Sequence, residues 1–438
     1  MTKVLMASLG CAKNLVDTEG MLGIITQNGL QIVDDESEAD VIIINTCCFI
    51  NDAKQESIDT ILELAKWKIE GKCKRLIVTG CMAQRYKDEI IKELPEVDAV
   101  VGVGSIADIV SVIDSGENNI LCDKQYSHLT SERIRTTPIY TAYLKVADGC
   151  DNHCTYCVIP SIRGKYTSRT IEDIVCEAEN LAKNGVKELI IIAQDTTNYG
   201  MDIYGHVRLC ELLNKLCEIE GIKWVRLHYC YPERITDELI NTIAKNEKIC
   251  NYIDIPIQHC NDDILRKMGR RGNKAQLTQV ISKLRTKIQD ITIRTSVITG
   301  FPTETDEQFA ELQEFVENMK FDRLGIFTYS QEEETVAAEM EGQIDEEVKR
   351  SRLEMLMFAQ AEVADEISNA KIGRTLTVLV EDYDSIIKQH FGRSVADSID
   401  IDGKVFFKSK TLIPAGEFVE VTIDEAMDYD LFGTLNSK

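Results

Sequence analysis

Three cysteines, Cys150, Cys154 and Cys157 in the run CDNHCTYC, are the densest group of potential metal ligands in this chain. Thiolates are soft ligands suited to iron–sulfur clusters. Three of them can hold three irons of a cubane and leave the fourth open to a substrate or cofactor. No fourth cysteine follows closely; the next is Cys176, inside a predicted helix. The competing readings are a zinc site, from Cys154 and Cys157 with Cys150 or His153, and cysteines without a common role. Zinc motifs more often show a second C-x2-C or an H-x3-H pair, and the chain has neither.

A second trio emerges only once the elements around it are considered. Val4–Ser8, Val41–Asn45, Leu76–Thr79 and Ala99–Val103 are short apolar runs, as expected of strands buried on both faces. Helical patterns lie between them, at Leu15–Gln27, Ala53–Ile69 and Gln84–Leu94. Such alternation predicts a parallel α/β sheet over residues 1–118, with ligands bound at the carboxyl ends of its strands. Cys11, Cys47 and Cys81 fall at those ends, in SLGCAKN, NTCCF and TGCMAQ. They are 36 and 34 residues apart, so only the topology can unite them. Gly10 and Gly80, each preceding a cysteine, permit the tight turns and close backbone approach that a second cluster needs. Either Cys47 or its neighbour Cys48 could supply the middle ligand.

The N-terminal trio followed by C-x3-C-x2-C resembles the radical S-adenosylmethionine methylthiotransferases, over essentially the whole chain. SLGCAKNLVDTE is similar to the branch that modifies ribosomal protein S12; the tRNA-modifying branch tends to have an aromatic and a Gln around its first cysteine. The resemblance implies two 4Fe–4S clusters. One, at Cys150, Cys154 and Cys157, binds S-adenosylmethionine; an auxiliary one sits at Cys11, Cys47 and Cys81, Cys47 matching the family position. Tyr156 matches the aromatic usual before the third cysteine. Thr303 in GFPTET and Glu334 in QEEET replace usual glycines.

Residues 119–138 read as a linker, its Ser127–Pro138 stretch polar, with Pro138 disfavouring helix before it. From 139 to 330 six strand-like runs alternate with helical patterns: Tyr140–Val146, Leu189–Ala193, Trp224–His228, Tyr252–Ile257, Ile291–Ile298 and Leu324–Tyr329. Six βα units predict a partial TIM-type barrel with its active site at the carboxyl mouth. Thr170 and Asp173 are expected to cap the first helix, and Gly185 to end it. Gln194 and Asp195 follow the second strand, and His259 follows the fourth. In resembling enzymes, groups at these places bind S-adenosylmethionine or substrate. Gln194 and Asp195, with Tyr156, are therefore the cofactor-binding expectations; Arg163, Arg169 and His259 are the substrate-binding ones. Solvated loop groups or a hydrogen-bonded core histidine are the plainer alternatives.

A long helical pattern within 331–372 reads as a brace on the radical domain (139–372), its charge run from Asp345 to Arg350 a solvated face. From Gly373 the pattern turns to alternation, at Leu376, Val378 and Val380 and again at Val419, Val421 and Ile423, predicting a small all-β domain at 373–438. Its place matches the TRAM β-barrel of the resembling family. It holds seven Lys and Arg against twelve Asp and Glu, a balance of −5. An RNA grip needs basic residues to neutralise phosphates. Acidic pairs such as Glu381-Asp382 and Asp424-Glu425 suit a basic protein instead.

The whole chain, 438 residues with a net charge of −24, should repel polyphosphate in the same way. Its start lacks the pattern of a signal peptide, and no apolar run is long enough to span a membrane, so a cytoplasmic enzyme with its fifteen cysteines reduced is expected. The resemblance implies that a 5′-deoxyadenosyl radical takes a hydrogen from the β-carbon of an aspartate in S12. Sulfur associated with the auxiliary cluster then adds, and a second S-adenosylmethionine donates the methyl group. It also implies a low-potential electron donor such as flavodoxin or ferredoxin, and no contact with nucleic acid except through the ribosome. The alternatives are a tRNA adenosine methylthiotransferase and, in another class, a non-catalytic iron–sulfur carrier.

Overall fold

Runs of fully buried aliphatic residues, such as Ile42–Ile44 and Leu76–Val78, build the first sheet of the protein. The computed structural model describes residues 1–115, 119–122 and 132–436. Its first sheet has strands β1 (Lys3–Ser8), β2 (Gln31–Ile32), β3 (Val41–Thr46), β4 (Arg75–Gly80), β5 (Ala99–Val101) and β6 (Asn119–Leu121). All are parallel, in the order β2-β1-β3-β4-β5-β6. The four central strands coincide with the apolar runs of the sequence. The edge strands β2 and β6 were not expected; they are two and three residues long, too short for a periodic signal. β6 extends the sheet past residue 118 into the predicted linker. Much of that linker, with Ser127–Thr130, lies outside the described residues. Its last part is held against helix α1 (Ala12–Gln27): the Ile134 N–H donates to the Glu19 carbonyl at 3.0 Å, and Arg133 pairs with the buried Glu19 carboxylate at 2.6 Å.

The second sheet holds β7 (Thr141–Lys145), β10 (Glu188–Ile192), β11 (Trp224–Leu227), β12 (Ile249–Asp254), β13 (Thr292–Thr299) and β14 (Arg323–Thr328), all parallel and in sequential order. A short antiparallel pair, β8 (Ala147–Asp148) and β9 (Thr167–Ser168), flanks the cysteine loop. These six strands are the expected open barrel. Thr170 accepts from the Asp173 N–H to cap the helix Ile171–Lys183, and Gly185 follows its end at φ 89°.

The helix Glu346–Asn369 packs on β14 and on the helix Asp306–Met319. The expected solvated face of its first turns is only partly so. Lys349 is buried and donates to the Tyr329 carbonyl at 3.0 Å, because the helix covers the open edge of the sheet.

Strands β15 (Thr375–Asp384), β16 (Gln389–Ser394), β17 (Val405–Lys408), β18 (Phe418–Met427) and β19 (Asp430–Leu435) close into a small barrel around Val378, Val380, Phe407, Val421 and Ile423. This barrel is docked into the radical domain. Its segment after β16 enters the open side of the six-stranded sheet, where Ile399 packs on Ile190 and Ile192 beside Ala12 and Val16 of α1. Arg393 pairs with Glu188, Arg323 with Asp397 at 2.6 Å, and the Tyr252 hydroxyl donates to Asp402 at 2.9 Å.

Candidate active site

The loop CDNHCTYC leaves β8 and is pinned on both sides. The Cys150 N–H donates to the Gly164 carbonyl at 3.1 Å, and the Thr155 N–H to the Met268 carbonyl at 3.0 Å. Hydrogen-bond donors reach the sulfurs. The Asn152 amide lies 3.5 Å from Cys150 Sγ, the Ile159 N–H 3.4 Å from Cys157 Sγ, and the Tyr231 hydroxyl 3.6 Å from Cys154 Sγ. Burial pushes the Cys157 thiol up to about 12, and negative charge on Cys154 and Cys150 adds to the rise. The three sulfurs therefore share one neighbourhood.

The second trio converges at the carboxyl ends of β1, β3 and β4. Cys11 is the N-cap of α1, Cys47 follows β3, and Cys81 opens a helix directly after β4. Gly10 and Gly80 have φ of 87° and 94°. A Cβ at Gly10 would stand 2.7 Å from Cys47 Cβ, and one at Gly80 2.3 Å from Asn45 Oδ1, so neither place admits a side chain. Cys11 is the exposed member of this trio, and Cys47 and Cys81 are buried. Burial pushes the Cys11 thiol up, but Lys13 and Arg163 outweigh it and hold it below its ordinary value. Burial pushes Cys81 up to about 12, with Arg163 opposing and Cys11 and Cys47 adding to the rise. Burial pushes Cys47 up, with the Phe49 N–H opposing and Cys11 adding to the rise; burial and then Cys81 push Cys48 up, and it is wholly inside the apolar core. Cys47 Sγ would stand 3.1 Å from a Cβ at Gly10, which sets it beside Cys11.

Arg163 stands between the two trios. Its guanidinium donates to Asp148 at 2.7 Å, to Asn14 Oδ1 at 2.6 Å and to Asp17 at 3.0 Å. Lys145 donates to the same two aspartates, at 2.9 Å to Asp148. The Asn14 amide in turn caps the Thr46 carbonyl at 2.9 Å, just before Cys47. Arg163 is therefore a buried bridge and is not presented to an incoming substrate. Arg169 is likewise committed, to Asp173 at 2.8 Å and to Glu177. His259 is fully buried, accepting from the Asn261 N–H at Nδ1 (2.9 Å), so its Nε2 proton points at Glu304, 3.2 Å away.

Asp195 is buried beside the cysteine loop. It accepts from Asn152 at 2.9 Å and from Thr197 at 2.6 Å, and it pairs with Arg234. Gln194 donates to Asp148 at 2.8 Å, while its Oε1 is buried without a partner among the described residues. Tyr156 packs against Ile264, Met268 and Phe301. Sequence reading missed Tyr231, Arg234 and Arg270, whose guanidinium lies 4.2 Å from the Tyr231 ring centroid. Their only signal was a position after β11 or β12, since neither residue type nor spacing marks them.

The chain matches three families in succession: the uncharacterized protein family UPF0004 over residues 3–102, the radical SAM superfamily over 144–316, and the TRAM domain over 372–435. It is 53% identical to the ribosomal protein uS12 methylthiotransferase RimO of Lachnoclostridium phytofermentans, covering 99% of each chain. The chain belongs to the RimO family. The RimO of Clostridioides difficile is 49% identical, over 99% of this chain and 98% of its own. Among solved structures, the fold is similar to the radical S-adenosylmethionine methyltransferase TsrM from Kitasatospora setae, at TM-score 0.54 and 14% identity over 75% of each chain. It is also similar to the cobalamin-dependent radical enzyme OxsB, at 0.51 and 10% over 84% of this chain and 56% of that one. Radical SAM membership of this RimO-family chain implies a 4Fe–4S cluster and S-adenosylmethionine. The loop at Cys150 fits that cluster, with three thiols and a donor at each sulfur. Among the described residues no three His, Cys, Asp or Glu side chains converge on one point as a single metal ion requires. A cubane instead takes each thiolate on a separate iron. No helix among the described residues is long and apolar enough to cross a membrane.

Proposed function

We propose that this chain is a radical methylthiotransferase that replaces a hydrogen on the β-carbon of an aspartate in ribosomal protein uS12 with a methylthio group. Cys150, Cys154 and Cys157 would hold the cluster that binds S-adenosylmethionine, and Cys11, Cys47 and Cys81 a second one. When bound, these groups supply hydrogen abstraction from an unactivated carbon and a place for the incoming sulfur, which no side-chain base could do.

The chain's own residues hold that chemistry in place. Asp195 fixes Asn152 and Arg234 beside the cysteine loop. Gln194 Oε1 offers a free acceptor to the cofactor's ammonium group, and Tyr156 backs the loop with apolar packing. The N-terminal unit, residues 1–118 with β6 added, carries the second trio; 139–372 carries the radical chemistry and 373–438 meets the substrate. The C-terminal barrel supports a protein substrate over RNA. Of its seven basic residues, Arg393 is buried on Glu188, and the exposed lysines stand among twelve acidic residues. Its outward charge suits basic uS12, with electrons from a flavodoxin or ferredoxin.

The observation that carries this reading is Arg163, which from the segment just after CDNHCTYC donates to Asn14 Oδ1 at 2.6 Å and to Asp17 at 3.0 Å in the helix that Cys11 opens. Its bond to Asp148 at 2.7 Å ties that helix to the strand that leads into the radical trio. The test is mass spectrometry of uS12 from a strain lacking this gene. The target aspartate should lose its methylthio group there and regain it with the gene restored. Unchanged uS12 with an altered tRNA adenosine would transfer the activity to RNA.

A further inference from the structure

Every residue that sequence reading assigned to substrate already faces a carboxylate: Arg163 meets Asp17 and Asp148, Arg169 meets Asp173 and Glu177, and His259 meets Glu304. Lys13 does not. It lies in the first turn of α1, two residues after Cys11, and is 7% exposed. Among the described residues its ammonium enters no ion pair and no hydrogen bond. It sits over the Tyr229 ring, 3.1 Å from the centroid. Such a contact offsets only part of the desolvation of a buried ammonium. Among the described residues no carboxylate pairs with it.

Its surroundings add to the positive potential. The first turn of α1 holds no acidic residue, so the positive end of the helix adds to the charge of Lys13 beside Cys11. Tyr229, on whose ring Lys13 sits, follows β11 with φ 59°. Non-glycine residues held in the left-handed region recur at ligand sites, where surrounding structure imposes the strain. Lys13 therefore reaches from the N-terminal sheet to the barrel mouth, between Cys11 and the strand ends.

We propose that Lys13 binds the side-chain carboxylate of the target aspartate and selects aspartate over its amide. This rests on the function proposed above. The carbon that loses its hydrogen is bonded to that carboxylate, so the anchoring cation must stand beside the trios, as Lys13 does. Lys13 also belongs to SLGCAKN, the stretch that separates this chain from the tRNA-modifying branch, whose adenosine substrate has no carboxylate. The rival role is balancing the thiolates of the N-terminal trio.

The test is fluorescence anisotropy with the reconstituted holoenzyme and two uS12 peptides, one with aspartate and one with asparagine at the target. The unaltered protein should bind the aspartate peptide about 10- to 100-fold more tightly, the range of a hydrogen bond to a charged group. K13M should bind both with the weaker affinity, retain the iron of the N-terminal trio, and differ from K13R, which keeps a preference for aspartate. Equal binding of the two peptides by the unaltered protein would overturn the proposal, and that comparison does not depend on how the variants fold. Loss of N-terminal iron in K13M, with the peptide preference intact, would assign Lys13 to the cluster instead. Failure of the unaltered protein to bind or modify uS12 at all would sink the substrate reading itself, a different result from binding without discrimination.

Discussion

Arg393 of the C-terminal barrel and Glu188 at the base of β10 form a buried two-point ion pair, Nη2 to Oε2 at 2.6 Å and Nη1 to Oε1 at 3.3 Å. Arg226 holds the same carboxylate at 2.9 Å. Glu188→Gln should therefore leave two guanidinium groups under-compensated and cost about 3–5 kcal/mol of stability, read by chemical denaturation.

The same carboxylate sets a pH dependence. Burial raises its pKa, but Arg393 and Arg226 outweigh that and hold it at about 2, below the ordinary 4.5. A depressed carboxyl stabilises the fold above its unfolded value. That stability, roughly 3 kcal/mol, should be lost as pH falls from 4.5 through about 2. Unfolding midpoints of the native protein should fall over this window more steeply than those of Glu188→Gln.

Removing residues 373–438 should do more than weaken substrate binding. Truncation would uncover Ile190 and Ile192 and take Arg393 from Glu188. We expect a marked drop in thermal stability. Of the acidic pairs named from sequence, Glu381 is turned onto Arg393 at 2.6 Å, while Asp424 and Glu425 are exposed. Asp424→Asn with Glu425→Gln should keep the fold and slow association with uS12 at low salt, the difference vanishing at high salt.

Cys47→Ala should lose the iron of the N-terminal trio, roughly half of about eight irons per chain if both clusters form. Cys48→Ala should keep it, at a small stability cost for the core space it fills. Iron analysis after anaerobic reconstitution decides; loss only in the Cys48 variant would reverse the choice.

Thr303 and Glu334, which by the resemblance to the family stand in place of glycines, have φ of 70° and 61°. Glu334→Gly should therefore stabilise the chain by about 0.5–1 kcal/mol in thermal unfolding. Thr303→Gly should gain less, because it also gives up the 2.7 Å hydrogen bond that Thr303 Oγ1 accepts from Lys267.

What the sequence determined by itself is what lies close along the chain or repeats with a period. CDNHCTYC groups its thiols by spacing alone. The βα alternation gave the two parallel sheets, and from them came the placement of Cys11, Cys47 and Cys81 at strand ends. Short edge strands such as Gln31–Ile32 left no periodic trace, and neither did the polar strand Gln389–Ser394. The tertiary structure alone decided which charges meet. Arg163, Arg169 and His259 looked available for substrate because a sequence does not show Asp148 or Glu304 across the fold. Nothing in the sequence singled out Lys13, which packing sets over Tyr229, 216 residues away. The physical reason is the range of the forces involved. Hydrophobic periodicity is written locally, whereas the pairing of buried charges depends on which elements the packed core brings face to face.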